Sequence, residues 1–402
     1  MGTAVELCRR ISSLQPRPLV LLGGIHPSSA PEQTLRDIPE ADYLFAGEAE
    51  SGLPELLDLL ERSPSPQPES LAAIPGLGWR TPEVDHVNER IFPEDLDELG
   101  LPAWDLLQPL RYQDYPPTLF VRQRPFAPII TSRGCPHRCT YCGGHNVTGY
   151  RLRQRSVALV LQEIALLHLQ YGIRELHIED DNFTMNRSWV VEFCERLLET
   201  GWDLSWTMPN GVRLDSLDLE LLKLMKRAGC YLLIVGVESG SDRILGEMKK
   251  KLTIRQVEEK ITLIHQAGIL AHVFLMVGYP GEGPEDIRAT LRLSLKLPLI
   301  GAHFASFRPL PGTECTDALL ATGEIQTLSL SAESSTFASV VYAPRGMTLR
   351  QVKSWQRRML LRFYLRPRIL WFYLREFVRK PAQAVNLFRR ARLYLLPGAS
   401  SW

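Results

Sequence analysis

The sequence predicts an α/β protein. Its body is a partial (β/α)6 TIM-type barrel, preceded by a truncated N-terminal α/β (Rossmann-like) piece and followed by a C-terminal helical extension. Three observations carry that expectation. Between residues 126 and 307, six apolar runs of four to eight residues alternate with stretches of helical periodicity, the pattern of repeated βαβ units. The runs are near-continuously apolar, as strands of a parallel sheet covered on both faces are. Six units rather than eight leave the barrel open, with site residues expected at the C-terminal ends of its strands.

The first 62 residues hold two short strand runs. Leu19–Leu22 ends in Gly23-Gly24-Ile25-His26-Pro27, and Tyr43–Phe45 ends in Ala46-Gly47-Glu48. Two strands are too few for an independent sheet. Residues 63–125 read as a linker or connector: Ser63-Pro64-Ser65-Pro66-Gln67-Pro68 breaks regular structure, and a hairpin is expected between Gly76 and Arg90. The barrel domain, 126–325, has expected strands at 127–131, 175–178, 204–208, 231–237, 270–277 and 302–307. The helix Val157–Tyr171 has Ser156 as N-cap and Gly172 as its stop. Helices are expected at 188–200, 217–228, 241–248 and 284–297. Another opens with Thr253 and Gln256 in capping-box spacing and stops at Gly268. The last domain, 326–402, is aromatic, leucine-rich and arginine-rich, with helical character over 349–395.

The chain has 402 residues, 45% hydrophobic and 23% charged, a composition that excludes a disordered chain, a collagen-like chain and a small disulfide scaffold. A formal net charge of +1 gives no global field for nucleic acid, and no nucleic-acid partner is expected. The charge is uneven: Arg350–Trp402 holds 13 basic residues and one acidic, Glu376, a net +12 against −11 elsewhere. No apolar run reaches the roughly 18 residues of a membrane span, and the N-terminus lacks a secretory pattern. Seven cysteines, three of them within eight residues, point to a reducing, cytoplasmic setting in which clustered thiols hold metal.

The strongest chemical signal is Cys135-Pro136-His137-Arg138-Cys139-Thr140-Tyr141-Cys142, placed directly after an expected strand. Three thiolates in one tight loop suit three irons of a cubane cluster and leave the fourth iron open. The alternative is a zinc site of three cysteines with His137 or His145.

Residues Thr131 to Cys142 closely resemble the signature of radical S-adenosyl-L-methionine (SAM) enzymes, in which an aromatic residue, here Tyr141, precedes the third cysteine. The resemblance covers roughly residues 125–325. It implies that Cys135, Cys139 and Cys142 hold a 4Fe-4S cluster and that SAM chelates the open iron. One electron then cleaves SAM to methionine and a 5′-deoxyadenosyl radical. The resemblance also implies SAM contacts at the strand ends. These are Glu179 and Asp181, from His177-Ile178-Glu179-Asp180-Asp181-Asn182-Phe183; Asn210; Glu238 and Ser239, from Gly236-Val237-Glu238-Ser239-Gly240-Ser241-Asp242; and Gly278. The plainer readings are a solvated acidic turn, an N-capping turn at Ser239 and Ser241, and tight glycine turns. Arg153 and Arg155 either pair with these acids or the SAM carboxylate, or are surface charge.

The N-terminal piece resembles the back half of a cobalamin-binding domain, on Gly23, Gly24, Gly47 and Glu48. The family's Asp-x-His-x-x-Gly segment and its first strands do not occur, so a fragment, a late start and a loss of cobalamin all remain open. His26 is not promoted to a cobalt ligand. The layout is similar to anaerobic magnesium-protoporphyrin cyclase and hopanoid-modifying enzymes. The expected activity is methylation or other modification of an unactivated carbon on a hydrophobic or natural-product substrate. The expected partners are a small-molecule substrate and an electron donor such as flavodoxin or ferredoxin. The basic C-terminal helices, with Trp371, Phe372, Tyr373 and Phe377, suit peripheral contact with an anionic membrane or a cap packed on the barrel. The rival functions are a methylthiotransferase, a non-catalytic iron–sulfur electron-transfer or sensor protein, and a partner subunit that depends on another chain for cobalamin.

Overall fold

The structure, a computed structural model, describes residues 2–113, 121–327 and 339–379. The chain divides into two compact units. One comprises Met1–Leu99, Arg133–Arg153 and Pro309–Ser339; the other comprises Gly100–Ser132, Gln154–Arg308 and Val340–Trp402.

In the first unit, β1 (Leu21–Leu22) pairs in parallel with β2 (Tyr43–Phe45). The expected hairpin forms as β3 (Leu77–Arg80) and β4 (Asp85–Val87), and β3 adds antiparallel to β2. The segment 63–125 is therefore not merely a connector, because it completes a four-stranded sheet in the order β1-β2-β3-β4. The reason is burial. Phe45 and Leu56 need cover, and Leu71, Ile74, Leu77 and Trp79 supply it in one apolar cluster.

The second unit holds the barrel. After β5 (Phe126–Ile129), the ribbon of β6 (Ser132–Arg133) and β7 (Arg153–Gln154) closes the neck of the loop that carries the three cysteines. There follow β8 (Glu175–Ile178), β9 (Ser205–Val212), β10 (Cys230–Glu238), β11 (Leu270–Val277) and β12 (Gly301–Ser306). With β5 they form a six-stranded sheet in chain order, every pair parallel. Each strand lies beside the next in sequence, as successive βαβ units require. Leu176, Ile178, Trp206, Leu233, Val235, Val273 and Val277 share the large core cluster with residues of the covering helices.

The helix Val157–Tyr171 keeps its expected bounds: Ser156 Oγ accepts from Leu159 N at 3.1 Å, and Gly172 ends it. Two helices start elsewhere. Asn186 and Asp218 cap Arg187–Glu199 and Leu219–Arg227, their side chains accepting from Trp189 N and Leu221 N. Strand β9 runs on to Val212 rather than stopping at Met208. Its register against β10 slips between Leu233 and Val235, so Pro209-Asn210-Gly211 forms a bulge, the position in a strand that tolerates proline.

The helix Leu349–Tyr364 opens with a capping box of Thr348 and Gln351. It packs against β12, where Gln356 Nε2 donates to Phe304 O at 2.8 Å and Phe363 meets Phe304 edge-on at 5.9 Å. The helix Pro367–Arg379 follows. The helical expectation over 380–395 lies outside the described residues. Among the described residues, no helix is long and apolar enough to cross a membrane.

Candidate functional site

The cysteine loop is shaped by its backbone. Cys135 and Cys139 are half-buried and Cys142 is exposed; none is in a disulfide. Cys142 N donates to Cys139 O at 3.1 Å, and Gly144 N to Cys142 Sγ at 3.5 Å. The helix Glu314–Ala321 lies against the loop, Cys315 N donating to Thr140 O at 2.9 Å. Asn146 Nδ2 reaches Pro311 O at 3.3 Å and Gly312 O at 3.2 Å. Tyr141 and His137 are half-buried, and His145 stacks on Tyr150 at 4.7 Å. Three reachable cysteines outside any disulfide, on one backbone-ordered loop, are the donor set an iron–sulfur cubane needs. Among the described residues no three His, Cys, Asp or Glu side chains converge on a single metal ion. A cubane attaches each thiolate to a different iron, so its ligands stand farther apart than those of one ion.

The three neighbouring acids after β8 separate. Asp180 is buried and turns back to the strand end before the cysteines. Thr131 N donates to Asp180 Oδ1 at 2.7 Å, and Thr131 Oγ1 and Ser132 Oγ donate to Oδ2 at 2.5 and 2.7 Å. Burial raises its pKa, and the Thr131 and Ser132 donors oppose that rise. Glu179 is half-buried, and burial, with Asp180 beside it, pushes its carboxyl up to about 7. Asp181 is exposed. Asn210, in the β9 bulge, donates from Nδ2 to Glu179 O at 2.7 Å and so fixes the end of β8.

At the end of β10, Glu238 takes a left-handed backbone (φ 70°) and its Oε1 accepts from buried Lys250 Nζ at 3.0 Å. Lys250 had no signal of its own, since Lys249-Lys250-Lys251 reads as a solvated run. Ser239 is fully buried; its Oγ accepts from Ser241 N at 3.2 Å. Ser241 occupies the N-cap position of the next helix without a side-chain capping bond, and its hydroxyl donates instead to Asp286 Oδ1 at 2.7 Å. Gly278 has φ 83°, and a Cβ there would meet Val352 Cγ1 at 3.0 Å. Turn conformation and packing against the 349–364 helix therefore explain this glycine. Its N–H donates to Glu282 Oε2, a contact sequence reasoning missed, and burial pushes Glu282 up to about 8.

Both carboxyls titrate higher in the folded chain than in the unfolded one, starting from 4.5. The folded state then holds the extra protons, so stability falls as pH rises from about 4.5 through 7 to 8. Urea midpoints are expected to be higher at pH 5.5 than at 8, and Glu179→Gln with Glu282→Gln is expected to shrink that difference. An unchanged difference in the double variant would refute the assignment.

In the first unit, a Cβ added at Gly23 or Gly24 would meet nothing within 4 Å, so the turn after β1 presents open backbone. His26, next to it, has a buried Nε2 with no hydrogen-bond partner, and burial lowers its pKa. Gly47 N donates to Ser28 Oγ at 2.9 Å, tying the turn after β2 to the one after β1. These features suit a cofactor tail lying on bare backbone. Glu48 is different: it is buried in ion pairs with Arg133 and Arg153. Arg155 is buried too and pairs with Glu163, whose Oε1 also accepts from Trp104 Nε1 at 3.0 Å. Neither Arg153 nor Arg155 is surface charge: Arg153 takes Glu48, which the resemblance had offered to cobalamin, and Arg155 takes Glu163, which the sequence did not nominate.

The radical SAM superfamily profile matches residues 129–294. An uncharacterized methyltransferase of Pyrococcus horikoshii is 30% identical over 371 residues, 92% of this chain and 77% of that protein. The anaerobic magnesium-protoporphyrin IX monomethyl ester cyclase of Synechocystis is 28% identical over 259 residues, 64% of this chain and 49% of that one. The chain thus spans about half the length of the cyclase. Among solved structures, the radical SAM methyltransferase TsrM of Kitasatospora setae, with cobalamin and a 4Fe-4S cluster bound, shares the fold. Its TM-score is 0.67 at 22% identity, covering 86% of this chain and 68% of that one. With the cysteine loop and the six-stranded parallel sheet, these likenesses establish that the chain belongs to the radical SAM superfamily.

Proposed function

We propose that this radical SAM enzyme methylates an unactivated carbon of a hydrophobic or natural-product substrate. The carrying observation is the three-cysteine loop, outside any disulfide, that follows directly on β5 of a six-stranded parallel barrel. Methyltransferase relatives support methylation over cyclisation. In this reading Cys135, Cys139 and Cys142, with Tyr141 beside them in the loop, serve the cluster, and Glu179, Asp181, Asn210, Glu238 and Ser239 at the strand ends contact SAM. Gly23 and Gly24 carry the cobalamin tail on open backbone, and Gly47, tied to Ser28, braces the turn beside them. When bound, these groups supply the electron, the adenosyl radical and the methyl donor, and the protein supplies orientation and exclusion of water. A flavodoxin or ferredoxin delivers the electron in a reducing cytoplasm, where seven cysteines without a disulfide are at home.

The test is anaerobic reconstitution with iron and sulfide, reduction, and addition of SAM with and without cobalamin. The expected products are 5′-deoxyadenosine and, only with cobalamin, S-adenosylhomocysteine. Neither product from protein with a full cluster would overturn the reading. S-adenosylhomocysteine independent of cobalamin would overturn the cobalamin part.

A membrane contact has one specific observation behind it. The helix Pro367–Arg379 buries Ile369 and Tyr373 yet exposes Leu370, Trp371, Leu374 and Val378 beside Arg368, Arg375 and Arg379. An apolar stripe edged by arginines suits an anionic interface. The full chain is expected to sediment with phosphatidylserine vesicles and not with phosphatidylcholine vesicles, and Trp371→Ser is expected to weaken it. Equal behaviour with both lipids would remove the reading.

A further inference from the structure

The cysteine loop is gripped by a single buried carboxylate. Arg133 stands two residues before Cys135, and Arg153 eleven after Cys142. Arg133 Nη1 donates to Glu48 Oε2 at 2.9 Å. Arg153 Nη1 donates to the same oxygen at 2.9 Å, and its Nη2 donates to Glu48 Oε1. The side chains of Glu48 and Arg153 are 4% and 3% exposed. Arg133 turns its second nitrogen to Glu50 Oε1 at 2.7 Å. Two carboxylates thus meet two guanidinium groups; Glu48 and Arg153 can be buried because each charge is matched and hydrogen-bonded, while Arg133 is half-buried and Glu50 exposed. Arg153 also donates to Pro93 O at 2.9 Å and Thr148 O at 2.8 Å, with its guanidinium 5.2 Å from the centre of the Phe92 ring. Arg90 adds a second tie, donating to Asn146 O and Ser28 O, both at 2.6 Å.

We propose that Glu48 is a positioning residue for the cluster rather than a cobalamin contact. By bridging both ends of the loop, it sets the spacing of the three thiols before iron arrives. This rests on the reading that the loop holds the cluster. The physical argument is preorganisation. A loop whose ends are pinned loses less conformational freedom when its ligands bind, and groups that orient metal ligands typically account for 10- to 100-fold in metal affinity. Glutamine at this position keeps the shape but turns one oxygen into an amide that faces a guanidinium. Aspartate keeps the charge but is one methylene short of reaching both arginines.

The test compares wild type, Glu48→Gln, Glu48→Asp and Glu94→Gln after anaerobic reconstitution. Glu94 is the exposed partner of Arg151 on the same loop and serves as the control. The readouts are iron per chain, the rate at which bathophenanthroline strips iron, the EPR line shape of the reduced cluster, and the thermal midpoint. Both Glu48 variants are expected to lose iron about 10- to 100-fold faster, with an altered EPR spectrum and a folded chain, while Glu94→Gln matches wild type. Wild-type stripping rates and spectra in folded Glu48→Gln would overturn the proposal. Where Glu48→Gln does not fold, Arg133→Lys decides, since it keeps the charge and loses the fork. Faster stripping there supports the proposal, and a wild-type rate overturns it. A wild-type chain that takes up no iron at all overturns the cluster reading itself, and this inference with it.

Discussion

Cys139→Ala is expected to abolish both cluster assembly and SAM cleavage while leaving the thermal midpoint of the barrel unchanged. Each thiolate of such a site holds a different iron, so two cannot substitute for three. Two of the barrel's own thiols are also poor substitutes. Cys194 and Cys230 are buried in the barrel, where burial pushes the Cys194 thiol up to about 12 and raises Cys230 further. Neither thiol readily yields the thiolate that iron needs. Cys139 sits in a loop and contributes nothing to the apolar core, so the fold is not at stake. Iron content, 5′-deoxyadenosine yield and a thermal melt on the same preparation check this. SAM cleavage near the wild-type rate in Cys139→Ala would exclude the loop as the site of the chemistry.

Gly134→Ala is expected to have an equally large effect on the cluster by a different route. Gly134 has φ 88°, and a Cβ there would stand 2.1 Å from Arg151 O and 3.1 Å from Thr148 O. The obstacle is backbone, which cannot swing aside as a side chain can. The left-handed conformation adds about 1–2 kcal/mol for any residue with a Cβ. The neck of the loop must therefore open, and Cys135 moves with it. Iron uptake is expected to fall to background while the barrel still melts cooperatively. Gly23→Ala is the contrast: an added methyl there meets nothing within 4 Å, so fold and cluster are expected to match wild type. A Gly134→Ala protein with full iron content would show that the neck geometry does not matter.

What was legible in the sequence was local. Ser156 and Gly172 bound their helix, and Thr253 with Gln256 forms its capping box, because a cap and its partner lie within a few residues. The strand runs of the barrel were legible because burial on both faces demands continuous apolar sequence. The first of these helices was started late because its cap, Asn186, precedes the apolar periodicity, and the second was started early because the apolar Leu217 lies before its cap, Asp218. The continuation of β9 through Pro209 was missed because proline in a run normally ends a strand, and the bulge that rescues it is a property of the pairing with β10.

By itself the sequence determined the fold class, the three thiols and their loop, for these depend on spacing and periodicity within a short window. The tertiary structure alone decided which charges are partners. Glu48 meets Arg133 across 85 residues and Arg153 across 105, and the hairpin of residues 77–87 joins a strand more than 30 residues before it. It also divided the acid triplet into a buried anchor, Asp180, a half-buried carboxyl, Glu179, and an exposed one, Asp181. The physical reason is the same in each case. A buried charge is stable only where a matching charge or donor is brought to it, and the match depends on where the chain returns in space, which no local pattern encodes.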